Sequence, residues 1–260
     1  MELLSTKHLS VAVAGKWLCR DLDLCIESGQ RWAVLGPNGS GKTTLLHSLA
    51  GLRPAQGGEI LFKGRPLHGW PPRERARSLG ILLQHLDDPF PSTVLETALI
   101  GRHPHLERWQ WESGDDQQQA RQALQRMDLA GFEGRAVATL SGGERRRLAI
   151  ATLLTQDPQL LLRDEPTNHL DLYHQVHVLQ LFARLAADRQ RALAMVLHDV
   201  TSAVRYCDHA LLLFGTGETL SGRITEVITE ENLARLYGHP IRRLAGPDGE
   251  VWAPAFDAEH

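Results

Sequence analysis

Cysteine is scarce in this chain, with only Cys19, Cys25 and Cys207 among 260 residues. An odd number without a C-x-x-C pair excludes a disulfide framework and a thiolate zinc site, and fits a reducing compartment. Long apolar runs are also missing. No stretch approaches the ~18 consecutive apolar residues that a membrane-spanning helix needs, so any membrane role is expected to come through a partner. Ala12-Val13-Ala14 has the form of a cleavage site, but Glu2, Lys7 and His8 interrupt the apolar segment a signal peptide requires. Nor is there an excess of one charge: 28 basic residues face 31 acidic ones, for a formal net charge of −3. That balance supplies no field for holding a polyanion, and no nucleic acid partner is expected. Internal repeats and low-complexity tracts are absent. What remains, 42% apolar and 23% charged residues, is the composition of an ordinary globular protein with one large or two intimate domains.

Periodicity places β structure first. Leu9–Val13 and Leu22–Ile26 read as strands, and Arg31–Leu35 as a short buried strand before a glycine turn. Thr44–Leu49 reads as a helix, Glu59–Phe62 and Ile81–Leu83 as further strands, and Thr93 to Glu96 has capping-box spacing at the head of a helix. From about Leu86 to Leu140 the pattern is helical, with a polar break at Gly114–Gln119. A helix (Gly143–Thr155), a strand (Gln159–Leu162), a helix (Tyr173–Ala187), a strand (Ala192–Leu197) and a strand (His209–Phe214) follow. This alternation predicts a largely parallel sheet with helices on both faces, and a small α+β appendage from about Gly215.

Gly36-Pro37-Asn38-Gly39-Ser40-Gly41-Lys42-Thr43 is a full match to the P-loop pattern G-x-x-x-x-G-K-[ST], in the required place between strand and helix. Its glycines let backbone N–H groups form a phosphate nest, to which the following helix adds its positive end. Lys42 is positioned to reach the β- and γ-phosphates and Thr43 to coordinate Mg²⁺, with Thr44 next in the loop-to-helix turn. Leu160 to Glu165 is a strand ending in two adjacent carboxylates, an arrangement that is costly unless a metal and a water use them. Asp164 is the candidate Mg²⁺ partner of Walker B type and Glu165 the general base. Ser141-Gly142-Gly143-Glu144 offers a second anion-binding helix end, capped by Ser141 and opened to close approach by its glycines.

With that third element the chain resembles the ATP-binding cassette (ABC) ATPases over nearly its whole length. The resemblance implies an α/β fold: a P-loop NTPase core with a mainly parallel sheet, an N-terminal antiparallel β part and an inserted helical subdomain. The core is expected over 1–85 and 141–214, the helical subdomain over 86–140 and the appendage over 215–260. It further implies that Ser141, Gly142 and Gly143 are the family's signature, and Gln84 its Q-loop glutamine, which helps hold Mg²⁺. Asn168-His169-Leu170-Asp171 resembles the D-loop, with Asp171 near nucleotide across a dimer interface, and His198 resembles the switch histidine on the γ-phosphate. Two positions depart from the family pattern: Arg163 stands where an apolar residue precedes Asp164, and Val13 occupies the place of the adenine-stacking aromatic, for which Trp17 is a substitute.

One copy of each motif implies a head-to-tail homodimer holding two ATP molecules with Mg²⁺, each signature completing the partner's P-loop site. Gly101-Arg102-His103-Pro104-His105, Pro166 to Asp171 and Leu236-Tyr237-Gly238 look like the ATPase subunits of bacterial importers for iron–siderophore complexes, vitamin B12 and haem. That group implies two integral-membrane permease subunits, an extracytoplasmic substrate-binding protein acting indirectly, and a place at the cytoplasmic face of the inner membrane. Iron–siderophore is the first expected cargo, then vitamin B12 or haem, then another metal or an oxyanion such as molybdate. Phe90, within Leu86 to Pro91, is either an anchor for a membrane-subunit helix or a filler of the subdomain core. His103 with His105, and His174 with His177, read as loop or packing contacts rather than metal ligands. A soluble ABC ATPase acting on ribosomes or nucleic acid is the rival reading, disfavoured by the single cassette, the want of a long coiled-coil insertion and the charge balance. A P-loop kinase or GTPase is the other, and no N-K-x-D motif occurs.

Overall fold

The computed structural model describes residues 1–82, 91–164, 171–187, 190–246 and 249–255. Strand β1 (Glu2–Val13) turns through Ala14 and Gly15, both at positive φ, into β2 (Lys16–Glu27). With β4 (Gly57–Phe62) and β5 (Arg65–Pro66) these strands form an antiparallel sheet in the order β2-β1-β4-β5. Both hairpin strands are longer than periodicity indicates, because register shifts along their pairing interrupt the strict alternation that marks a strand in sequence.

The second sheet is built from β3 (Arg31–Leu35), β6 (Leu79–Leu82), β7 (Leu160–Arg163), β8 (Ala192–Val196), β9 (His209–Leu213) and β10 (Thr219–Arg223). Its order is β10-β9-β3-β8-β7-β6, parallel throughout except for β10, which pairs antiparallel with β9 and carries the sheet past residue 214. Both faces are covered, which is why its strands are near-continuous apolar runs. Trp32, Val34, Leu160, Leu162, Ala194 and Val196 pack towards the antiparallel sheet and α1 (Lys42–Leu49). Ala33, Leu35, Leu161, Leu193 and Met195 pack towards the helices on the other face. Those helices include α5 (Gly142–Gln156), α6 (Leu172–Ala187) and α7 (Val200–Tyr206), and α2 (Pro72–Ser78) leads into β6.

Between β6 and β7 lie α3 (Val94–Leu99), a 3₁₀ turn at Ile100–Arg102, and α4 (Gly114–Arg126). The capping box at Thr93 forms as expected: the Thr93 N–H donates to Glu96 Oε2 at 2.7 Å and the Glu96 N–H to Thr93 Oγ1 at 3.3 Å. The polar break expected at Gly114–Gln119 is instead the first half of α4. Ser113 caps it, its Oγ accepting from the Asp116 N–H at 3.2 Å, and the acidic first turn suits the helix dipole. After β10 come α8 (Ile224–Val227), α9 (Glu230–Tyr237) and a hairpin of β11 (Ile241–Gly246) and β12 (Gly249–Pro254). Among the described residues no helix is long and apolar enough to cross a membrane.

Candidate nucleotide-binding site

Parallel strands deliver their C-terminal ends to one edge, where such sheets take their ligands. Here β3 ends at Gly36, β7 at Asp164 and β8 just before His198, and in the sheet β3, β8 and β7 are consecutive neighbours. β6, beside β7, stops two residues before Gln84, which lies outside the described residues, as do Phe90, Glu165 and Asn168 to Leu170.

The P-loop is shaped by contacts that admit only glycine. A Cβ on Gly36 would stand 2.6 Å from the Leu213 carbonyl oxygen, and one on Gly41, at φ +97°, would meet the Leu18 side chain at 2.5 Å. Lys42 is buried and folds back over the loop, its Nζ donating to the carbonyls of Gly36 at 2.8 Å and Pro37 at 3.1 Å. These bonds preset the ammonium group over the nest. Ser40 is 1% exposed, and its Oγ has no hydrogen-bond partner among the described residues. A cavity of about 360 Å³ lies over the loop, lined among others by Val13, Lys16, Asn38, Gly39, Thr43 and Thr44. Val13 therefore faces the cavity, whereas Trp17 is not among its lining residues and carries the Arg20 guanidinium 4.8 Å from its ring centroid. One face of the Trp17 ring is thus occupied by Arg20, and Lys16, which donates to the Gly39 carbonyl at 3.3 Å, stands at the rim of the cavity. Sequence reasoning had passed over Lys16, an unremarkable lysine in a turn.

At the far end of the edge Asp164 is fully buried. Its N–H donates to the Leu82 carbonyl at 3.1 Å, and its own carbonyl accepts from Arg146 Nη2 at 2.8 Å. Arg146 is the second residue the sequence reading missed. The available signal is its place on the same face of α5 as Ile150 and Leu153, four and seven residues on. The adjoining Arg163 is 0% exposed and stacks over Phe182 of α6, 3.9 Å from the ring centroid. Burial first, and the neighbouring Arg146 second, push its pKa well below the ordinary arginine value. A guanidinium starts so high that it keeps its proton.

The remaining predicted residues are placed elsewhere. Ser141 caps α5 in a capping box, its N–H donating to Glu144 Oε2 at 2.7 Å and its Oγ accepting from the Glu144 N–H at 3.3 Å. The Ser141 N–H first, and the Ser141 side chain second, hold the Glu144 carboxyl below its usual range. Ser141 and Gly142 are exposed, a Cβ on Gly142 would meet nothing within 4 Å, and none of Ser141, Gly142 and Gly143 lines the P-loop cavity of the same chain. Asp171 does not line it either; its Oδ1 accepts from the His174 N–H at 2.9 Å, capping the start of α6. The same bond, with the His174 ring behind it, keeps its pKa low. His198 is exposed at the end of β8. His105 bonds the Gln156 carbonyl at 2.9 Å and His177 the Arg126 carbonyl at 3.0 Å, as expected of packing histidines. No group of three or more His, Cys, Asp or Glu able to hold a metal occurs among the described residues.

The ABC transporter family model matches residues 19–168, a span that holds the P-loop, the signature and Asp164. The chain belongs to the ABC transporter family. As an ABC ATP-binding subunit it binds ATP and is an ATPase. It is 41% identical over 234 residues to the hemin import ATP-binding protein HmuV of Myxococcus xanthus, covering 87% of this chain and 86% of that protein. It is 38% identical over 231 residues to the siderophore transport system ATP-binding protein YusV of Bacillus subtilis, covering 88% and 83%. Among solved structures, one described as an inward-facing metal-chelate type ABC transporter superposes with a TM-score of 0.85 at 28% identity, covering 99% of each chain. The expected fold class is thereby established, antiparallel N-terminal sheet included.

Proposed function

We propose that this ABC ATPase drives uptake of an iron chelate, haem or an iron–siderophore, as a homodimer seated peripherally on two membrane permease subunits at the cytoplasmic face. The observation that carries the chemistry is the convergence of the P-loop, Asp164 and His198 on one edge of three adjacent strands. The cargo rests on the likeness to proteins whose names specify hemin and siderophore transport. Vitamin B12, and then another metal or an oxyanion such as molybdate, are the alternative cargoes. An extracytoplasmic binding protein would supply the chelate to the permease.

The P-loop amides and Lys42 would hold the β- and γ-phosphates, with Val13 and Lys16 beside the base and sugar. The orphaned, buried Ser40 Oγ and the glycine-only cradle suit an anion that supplies the missing bonds. The hydroxyl of Thr43, the carboxylate of Asp164 and the amide oxygen of Gln84 are the hard oxygen donors that Mg²⁺ prefers. When bound there, Mg²⁺ neutralises charge on the transferring phosphoryl group. Glu165 would take the proton of the attacking water, and His198 would orient the γ-phosphate. Exposure of Ser141 and Gly142 away from the cavity supports completion of each site by the signature and Asp171 of a second copy.

Glu165→Gln is expected to slow ATP turnover ~10²–10⁴-fold, as loss of a general base does. Near-normal turnover in steady-state assays overturns the assignment. Purification from gently solubilised membranes should recover a polytopic partner, and the loaded chelate should stimulate ATP hydrolysis by this chain in the complex. Recovery without a membrane protein overturns the importer reading alone.

A further inference from the structure

The proposed chemistry leaves one buried cation unused. Arg163 precedes Asp164 on β7, and none of its Nε, Nη1 and Nη2 atoms has a hydrogen-bond partner among the described residues. Its neighbour Arg146 is a like charge. Replacing buried charges by apolar groups of similar volume is often neutral or stabilising, so folding alone would favour leucine or methionine here. A cost retained one residue from the chemistry points to function.

Geometry indicates which function. The main chain of Arg163 is in register with Leu82 on β6 and Met195 on β8, so the strand itself is held on both sides. Asp164 is held again through its N–H to Leu82 and through its carbonyl by Arg146 of the signature helix. Those bonds do not reach α6, which starts directly after Asp171, is held to its neighbours by Arg147 Nη1 with His174 Nε2 at 2.9 Å and by His177 Nε2 with the Arg126 carbonyl at 3.0 Å, and bears Phe182, 1% exposed. The Arg163–Phe182 stack ties together the two elements between which residues 165–171 run: the strand enters at Arg163 and Asp164, and the helix leaves at Leu172. A cation over a ring face is held by direction as well as by packing, which a flexible apolar chain does not reproduce.

We propose that Arg163 is a positioning residue for ATP hydrolysis: its stack on Phe182 fixes the end of β7 against α6 and so the point from which the chain leaves Asp164 for the next residue, the general base. The proposal rests on the reading of Asp164 and Glu165 as Mg²⁺ ligand and general base. The test compares Arg163→Met, Phe182→Leu and the double variant in the full chain for thermal unfolding, kcat and KM for ATP. Arg163→Met is expected to raise Tm by roughly 2–10 °C while kcat falls roughly 10- to 100-fold. KM for ATP should stay within about twofold, since ground-state binding is untouched. Phe182→Leu should show the same kcat loss, and the double variant should lose no more than the worse single one, as residues acting as one unit do. An unchanged kcat in the single variants overturns the proposal, and so does a kcat loss in Arg163→Met that comes with a fall in Tm, the mark of a purely structural role. Should Arg163→Met fail to fold, Phe182→Leu decides, wild-type kcat overturning the idea. Glu165→Gln run alongside separates the two readings. Full turnover there removes the base assignment, whereas an inactive Glu165→Gln beside an unaffected Arg163→Met removes only the positioning role.

Discussion

Arg102 and Arg163 are both withdrawn from water, and they are housed in opposite ways. Arg102, in the 3₁₀ turn after α3, donates from Nε to Asp116 Oδ1 at 2.7 Å and from Nη1 to the Thr155 carbonyl at 3.3 Å. Asp116 accepts in addition from the Ser113 N–H at 2.9 Å and its Oγ at 2.7 Å. Guanidinium and carboxylate, 13% and 9% exposed, are thus answered by opposite charge and by hydrogen bonds. Arg163 has an aromatic face and a like charge in their place. The helical region between β6 and β7 keeps a charge pair that closes a helix end. The central sheet keeps a charge that its own packing does not require, next to Asp164, the proposed Mg²⁺ ligand. The same side chain therefore serves fold maintenance in one place and geometry at the site in the other.

The comparison predicts opposite signs. Asp116→Ala strands the Arg102 guanidinium and should lower stability by about 3 kcal/mol in denaturant unfolding, near the low end for breaking a buried pair because both groups retain some exposure. A loss under about 1 kcal/mol would put this pair in the class of surface ion pairs and erase the contrast. Arg163→Met should move Tm the other way. Replacing both members of the first pair, Arg102→Met with Asp116→Leu, should cost about 1 kcal/mol or less, since no charge is left alone. A double variant as unstable as Asp116→Ala would mean that the cost lies in the α4 cap and not in the charge.

The smallest effect is one of pH. The Ser113 hydroxyl first, with the Ser113 N–H and the Arg102 guanidinium helping against burial, holds the Asp116 carboxyl down at about 2, from an ordinary value of 3.8. Folded protein therefore binds fewer protons there than unfolded protein. The stabilisation is complete above that ordinary value and is lost as pH falls through about 2. The Tm gap between wild type and Asp116→Asn should accordingly narrow as pH is lowered from about 5 towards 2. A gap that stays constant over that range would show that the carboxylate charge contributes nothing.

Much of the site was legible because its chemistry is local. The P-loop is eight consecutive residues whose glycines are demanded by their own turn, and Gly36 against Leu213 shows how strictly. Ser141 with Glu144, and Thr93 with Glu96, signal helix starts through bonds three residues apart. The five parallel strands of the six-stranded sheet were legible in chain order for the same reason, each being a short apolar run, whereas β10 was not. Ser113–Asp116 carries the same spacing but was hidden within a polar stretch whose helix buries little beyond Ala120, Ala123 and Leu124. Lys16 was not legible, and Arg146 only as a core-facing position of α5, because the atoms they bond, the Gly39 and Asp164 carbonyls, are 23 and 18 residues away. That Val13, Lys16 and Leu18 line the cavity and Trp17 does not was illegible for a related reason: which face of β2 meets the cavity depends on pairing register, which composition does not reveal.

By itself the sequence determined the family, the P-loop between strand and helix, the strand that leads into Asp164 and the helix caps at Thr93 and Ser141, since each depends on neighbours within a few residues. Only the tertiary structure decided that the P-loop, Asp164 and His198 share an edge. It alone decided that Val13 faces the cavity while Trp17 lies under Arg20, and that Arg163 is sealed against Phe182. Such outcomes are set by strand order, register and burial, and those arise only when segments distant in the chain pack together and exclude water.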